Sequence, residues 1–153
     1  MTGQNQQLLL VEDDPADAEL TTLALRKHNL AAKIEIARDG AEALEFLFCL
    51  GNFQSRSFEN PPRLVLLDLK LPRVSGLQVL RTIKCDSRTR AIPVAILTSS
   101  NLDIDIAQCY MLGANSYIQK PSALHEFQDT VSQFGAFWLR INQPPPASAF
   151  TER

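Results

Sequence analysis

The sequence predicts an α/β fold: a five-stranded, doubly wound parallel sheet with helices on both faces. The first observation is that short apolar runs alternate five times with amphipathic stretches, a pattern typical of parallel sheets covered by helices. The second is that residues 8–11 and 64–67 are continuously apolar, as expected for strands buried on both faces. The third is the length of 153 residues, which suits one domain with a core of its own.

The strands are predicted where runs of three to five mainly apolar residues occur, at residues 8–11, 34–36, 64–67, 93–97 and 116–119. The helices are predicted between them, at residues 15–27, 39–50, 76–85, 102–112 and 122–141. Pro15 suits the first turn of a helix, and Asp39 and Ser122 suit N-caps. Gly113 is placed to end the fourth helix as a C-cap.

Two stretches show neither the helical nor the strand spacing of apolar residues. Residues 51–63 read as a long loop that contains Pro61 and Pro62. Residues 142–153 contain three consecutive prolines, which favour an extended conformation and cannot continue a helix. We therefore expect one domain over residues 7–141 and a Pro-rich C-terminal tail over residues 142–153 that is extended or disordered.

The composition excludes several classes of protein. A net charge of −2 gives no basic excess for binding nucleic acid, and no apolar run approaches the length of a membrane span. Residues 1–7 are polar and uncharged, unlike a signal peptide. Cys49, Cys85 and Cys109 show no CxxC spacing, so we expect reduced thiols in a soluble cytoplasmic protein.

Polar side chains follow four of the predicted strands. Glu12 and Asp13 follow the first, Asp68 the third, Thr98 ends the fourth and Lys120 follows the fifth. Because the carboxyl ends of parallel strands share one edge, where such sheets bind ligands, we expect these groups to converge. Clustered acids need a neutralising cation, and Mg²⁺ prefers carboxylates, waters and phosphate oxygens. A carboxylate nucleophile, Mg²⁺ and a second cation are the requirements of phosphoryl transfer.

Other uses of this sheet edge fit less well. Haloacid-dehalogenase-type phosphatases need a second acid two positions after the nucleophile, where this chain has Lys70. A flavodoxin-like carrier would bind phosphate in the loop after the first strand, where Asp14 and Asp17 add further negative charge. We interpret Asp14 and Asp17 as helix caps. No GxxxxGK[ST] or GxSxG motif is present, which argues against nucleotide hydrolases and α/β-hydrolases.

Four stretches together resemble the response-regulator receiver domain of two-component signalling, over about residues 7–141. They are LLLVEDD at 8–14, VLLDLKLP at 65–72 with Gly76, PVAILTS at 93–99, and GANSYIQKP at 113–121. The resemblance implies a flavodoxin-like strand order, 2-1-3-4-5. It also implies a signalling phosphoacceptor that is not an enzyme, beyond self-phosphorylation and autodephosphorylation.

The resemblance implies a role for each matching residue. Asp68 would accept a phosphoryl group from a sensor histidine kinase, and Lys120 would pair with that group. The implied ligands of Mg²⁺, or of another divalent cation such as Mn²⁺, are Asp13, Asp68, the backbone carbonyl of Lys70 and, through water, Glu12. The implied switch residues are Thr98, whose hydroxyl faces the phosphoryl group, and Tyr117.

A narrower resemblance is to the small stand-alone response regulators that partner cyanobacterial phytochromes. It rests on the long loop at 51–63, on Leu-Pro-Arg at 71–73, and on Phe-Trp-Leu at 137–139 before a proline tail. The resemblance implies a phytochrome-type histidine kinase as partner. We expect neither a nucleic acid nor a membrane to be bound.

With no output domain expected after the last helix, the signal would leave through surfaces of the domain itself. We predict a homodimer through the fourth helix, the fifth strand and the fifth helix, because exposed apolar patches often mark interfaces. The predicted interface residues are Leu102, Ile104, Tyr110, Met111, Phe134, Phe137 and Trp138. A phosphorelay intermediate and a phosphate-independent scaffold for the kinase remain open alternatives.

Overall fold

The computed structural model describes residues 7–28 and 33–150. The strands are β1 (Gln7–Val11), β2 (Lys33–Ala37), β3 (Leu64–Leu67), β4 (Val94–Thr98) and β5 (Ser116–Gln119). The helices are α1 (Pro15–Lys27), α2 (Gly40–Leu47), α3 (Gly76–Lys84), α4 (Asp103–Met111) and α5 (Leu124–Ala136). A π-helical turn, Phe137–Ile141, continues α5, and short 3₁₀ helices span Gly51–Phe53 and Ala147–Phe150.

The five strands form one parallel sheet in the order β2-β1-β3-β4-β5, which confirms the predicted fold class. The chain leaves β1 in one direction to β2 and then crosses to β3 on the other side of β1. The order of the strands therefore reverses at β1 and β3, where ligand sites of such sheets lie.

Alternate residues of each central strand supply two hydrophobic cores. Leu9 and Val11 of β1 pack in a cluster with side chains of α2, α3 and α4. Leu8 and Leu10 pack in a second cluster with side chains of α1 and α5. Because successive side chains of a strand point to opposite faces, continuous apolar strands are what a sheet covered on both faces requires. Within the described residues, no helix is both long and apolar enough to cross a membrane.

Helix starts agree with the predictions except at α5. Asp14 caps α1 by accepting hydrogen bonds from the Ala16 and Asp17 amides, and Asp39 caps α2 through the Glu42 amide. The predicted cap at Ser122 is wrong, because α5 begins two residues later and its N-cap makes no side-chain hydrogen bond.

The ends of α2 and α4 are set by residues with positive φ. Gly113 has φ 105° and its amide bonds to the Tyr110 carbonyl, which confirms the predicted C-cap of α4. The second helix ends at Leu47 rather than near residue 50. Its continuation stops because Cys49 adopts φ 58°, a left-handed conformation that ends a helix.

The long loop after α2 is held against that helix. The guanidinium of Arg56 lies 3.7 Å from the centre of the Phe46 ring and donates a hydrogen bond to the Phe46 carbonyl. Phe53 meets the same ring edge-on, with centroids 5.2 Å apart. Stacking and hydrogen bonding by one arginine thus order a segment that has no repeating pattern in its sequence.

The described part of the Pro-rich tail is not simply extended. Arg63 donates a hydrogen bond to the Asn142 carbonyl, 3.1 Å away, and Ala147–Phe150 forms a 3₁₀ turn. Phe150 is partly buried against the first core cluster. A buried aromatic side chain and an arginine anchor keep this segment on the domain despite its three prolines.

Two of the predicted interface residues on the last helix are buried or partly buried. Phe134 is 9% exposed and belongs to the second core cluster, so its prediction as a surface interface residue is wrong. Trp138 is partly buried against that cluster and meets the Phe137 ring at 5.3 Å. Phe137 itself is 45% exposed. The helix changes to a π-helical turn at Phe137, so the residues from Phe137 onward do not continue the α-helical period of α5.

Candidate functional site

The functional groups converge where β1, β3, β4 and β5 end. Glu12 directly follows β1, Asp68 follows β3, and Thr98 is the last residue of β4. The Asp68 amide bonds to the Val11 carbonyl at 3.1 Å, which holds the ends of β1 and β3 together. The Lys120 amide bonds to the Thr98 carbonyl at 2.7 Å and does the same for β4 and β5. The predicted convergence of these residues is therefore present.

The centre of the site is the ammonium group of Lys120. Its Nζ lies 2.5 Å from Oε1 of Glu12, 3.0 Å from Oδ2 of Asp17 and 3.0 Å from Oδ2 of Asp68. The lysine side chain is only 9% exposed. An ammonium has three N–H donors, so each of the three faces one carboxylate.

Burial and charge act in opposite directions on these groups. Burial raises the pKa of Glu12 to about 7, with the charge of Asp68 adding to the rise and the hydrogen bond from Lys120 opposing it. Burial alone would lower the pKa of Lys120, but its contacts with Glu12, Asp68 and Asp17 outweigh burial and raise it above its usual value. The lysine therefore stays charged, while the most buried acid holds its proton unusually tightly.

The Asp68 carboxylate is held in a fixed orientation. Its Oδ1 accepts hydrogen bonds from the amides of Leu69 at 2.7 Å and Lys70 at 3.4 Å, while Oδ2 faces Lys120.

The loop after Asp68 packs tightly on the start of α3. A Cβ at Gly76 would lie 2.2 Å from the Asp68 carbonyl oxygen, so only glycine fits here.

Three acids of the site could hold a metal ion. Glu12, Asp13 and Asp68 each offer a carboxylate oxygen, and these oxygens lie within 4.8 Å of one another. An all-oxygen set with the exposed Asp13 at its edge suits a hard divalent cation that keeps several waters. These three residues therefore fit the predicted divalent cation. The carbonyl of Lys70, two residues after Asp68, remains a predicted further ligand.

A second group of contacts joins the loop after Thr98 to β5 and to α4. Thr98 is 1% exposed. The Tyr117 hydroxyl donates to the Ser100 carbonyl at 2.9 Å, and the Ser100 hydroxyl donates to Asp105 of α4 at 2.5 Å. Burial raises the pKa of Tyr117, so the phenol remains a donor. The loop between β4 and α4 is thus bonded to β5 on one side and α4 on the other.

Asp17 is the site residue that the sequence reasoning missed. We interpreted it with Asp14 as a helix cap, but only Asp14 has that role. Asp17 lies in the first turn of α1, about one helical turn beyond the cap, and this places its carboxylate beside Lys120. The available signal in the sequence is the spacing of Asp17, five positions after Glu12. This interval spans the end of β1 and the first turn of α1.

Fold and site together define a class of protein. A 2-1-3-4-5 parallel sheet with an acidic pocket and a lysine at its carboxyl edge is the arrangement of receiver domains. The profile of the response regulator receiver domain matches residues 8–132. The chain belongs to this family, the receivers of two-component signalling.

Three known proteins are similar over most of their length. The probable methanogenesis regulatory protein FilR2 of Methanothrix harundinacea is 40% identical over 138 residues, 90% of this chain and 86% of FilR2. Response regulator Rcp1 of Synechocystis is 37% identical over 92% of this chain and 93% of its own. The phosphorylated cyanobacterial phytochrome response regulator RcpA superposes with a TM-score of 0.87 at 35% identity, covering 94% of this chain and all (100%) of that one.

These similarities bear on the narrower resemblance and on the metal. The structure of Mn²⁺-bound Rcp1 matches with a TM-score of 0.86 and 34% identity, over 92% of this chain and 99% of that one. The chain is thus close to stand-alone phytochrome response regulators, and receivers of this kind bind divalent metals.

Glu12 predicts a specific dependence of stability on pH in metal-free buffer. Its pKa is about 7 in the folded state against a usual 4.5, so between these values the folded state binds more protons than the unfolded chain. The contribution of Glu12 to the free energy of unfolding therefore decreases as the pH rises through this window. In urea unfolding with EDTA, we expect Glu12→Gln to lack this decrease in the free energy of unfolding. Glu19→Gln, an exposed change on α1, should keep it, and identical pH profiles for wild type and Glu12→Gln would contradict the prediction.

Proposed function

We propose that this protein is a single-domain response regulator that accepts a phosphoryl group on Asp68 from a histidine kinase of the phytochrome type. The observation that carries the proposal is the Asp68 carboxylate itself, which contacts Lys120 and is one of the three acids of the metal pocket. The similarity to Rcp1 and RcpA supports the kind of kinase. The free cysteines, Cys49, Cys85 and Cys109, are consistent with a cytoplasmic location.

The chemistry follows from the positions of these groups. An oxygen of Asp68 forms a bond to phosphorus while the bond from phosphorus to the donor imidazole breaks, and the electron pair leaves with the imidazole. Lys120 balances charge on the phosphoryl oxygens, and the Thr98 hydroxyl donates a hydrogen bond to one of them. Bound Mg²⁺, held by Asp13, Asp68, the Lys70 carbonyl and, through water, Glu12, would neutralise the remaining charge.

The direct test of this chemistry is intact mass after incubation with Mg²⁺ and a small acyl phosphate. The wild type is expected to gain one phosphoryl group, and Asp68→Asn none, because the amide is not a nucleophile here. Asp86→Asn serves as the matched control, since Asp86 lies in the turn after α3 and pairs with Arg88. Absence of the gain in a wild type that binds Mg²⁺ would contradict the proposal and favour a phosphate-independent scaffold.

For the output we propose a homodimer formed through α4, β5 and α5. Four large apolar side chains of one region are exposed: Leu102 (59%), Ile104 (64%), Tyr110 (51%) and Met111 (86%). Tyr117 and Ser100 bond the loop that follows Thr98 to β5 and to α4 through the hydrogen bonds described above. Exposed apolar residues grouped at one helix favour an interface over a solvated surface.

Sedimentation at high micromolar concentration tests the dimer. We expect the phosphorylated wild type to sediment as a dimer and Ile104→Glu to sediment as a monomer, because a carboxylate in an apolar interface has no partner. Leu23→Glu is the control, since Leu23 is similarly exposed (53%) but lies on α1. A monomeric wild type, with and without phosphate, would rule out this output.

A further inference from the structure

The contact between Lys120 and Asp17 has no part in the chemistry proposed above. Lys120 Nζ is 3.0 Å from Asp17 Oδ2, the same distance as from Asp68 Oδ2. Asp17 lies outside the metal-ligand set of Glu12, Asp13 and Asp68. It therefore places a further negative charge beside the cation that the phosphoryl group needs.

The lysine has no spare donor for a phosphoryl oxygen. Its three N–H groups face Glu12, Asp17 and Asp68, and an ammonium offers only three. A phosphoryl oxygen that binds Lys120 must therefore displace one of these carboxylates. Which one is displaced depends on how well each can be solvated afterwards.

Exposure distinguishes the three carboxylates. The side chains of Glu12 and Asp68 are 2% and 10% exposed, whereas that of Asp17 is 30% exposed. A buried carboxylate left without a partner is costly, which disfavours displacement of Glu12. Asp68 stays beside the lysine because the phosphoryl group that binds Lys120 is attached to it. Asp17 borders an open, mainly polar cleft together with Ser99 and Ser122, so water can replace its lysine contact.

We propose that Asp17 is a positioning residue that holds the Lys120 ammonium until a phosphoryl oxygen takes its place. It competes with the phosphoryl group for the lysine, and so it opposes the phosphorylated state. This role rests on the proposed phosphorylation of Asp68. A residue that only stabilised the fold would not change the affinity for a phosphoryl group in this direction.

The test is binding of beryllofluoride, a phosphoryl mimic, in the presence of saturating Mg²⁺, followed by fluorine-19 NMR titration. Asp17→Asn keeps the size of the side chain and a weaker acceptor but removes the charge. We expect it to bind the mimic about two- to fivefold more tightly than wild type, the range for a partly exposed ion pair. Glu19→Gln is the control, because it removes the same charge from an exposed position on α1. It should bind like wild type.

Asp17→Ala gives a second, independent comparison, because it removes the acceptor as well as the charge. It should bind the mimic at least as tightly as Asp17→Asn, whatever its effect on the melting temperature. Unchanged or weaker binding in both variants, with a wild type that binds, would overturn the role of Asp17 alone. A wild type that fails to bind the mimic would overturn the proposed phosphorylation and this inference with it.

Discussion

The ion pairing of the Lys120 ammonium with the carboxylates at the ends of β1 and β3 organises the site. Like charges this close repel each other unless a cation lies between them. Lys120 directly follows β5, which is separated from β1 by β3 and β4 in the sheet. Its long side chain therefore connects the ends of β5 and β1, which share no backbone hydrogen bonds.

The surrounding fold serves to make that pairing possible. The continuous apolar strands bury both faces of the sheet, which brings the strand ends, and with them the charged residues, to one edge. Gly76 allows the loop after Asp68 to approach α3 more closely than any side chain would permit. Burial of Glu12 then follows from its position next to β1, and its raised pKa reflects a burial that the lysine offsets only in part.

Much of the fold and the central site could be predicted from the sequence, because both depend on local patterns. The strands are apolar runs, and Glu12, Asp68 and Lys120 directly follow them. The roles of the metal ligands and of Tyr117 came from the family resemblance rather than from spacing.

The features that were missed depend on contacts between distant residues. The local sequence favours a cap at Asp17, because the lysine partner of Asp17 is 103 positions away in the chain. The burial of Phe134 depends on how α5 packs against the second core, and the anchoring of the tail depends on Arg63. Asp17 and Arg63 have no periodic signal, so the hydrophobic pattern alone could not place them. Phe134 does share the helical spacing of Phe127 and Val131, which are buried in the same core, so its burial agrees with the hydrophobic pattern.

Lys120 and a divalent cation are expected to neutralise the same carboxylates. Calorimetry of Mg²⁺ binding to wild type and Lys120→Gln measures this competition, with Lys27→Gln, a change of an exposed lysine at the end of α1, as the control for loss of one positive charge. We expect Lys120→Gln to bind Mg²⁺ more tightly than either, because the acids lose their internal cation. Equal affinity in all three proteins would contradict it.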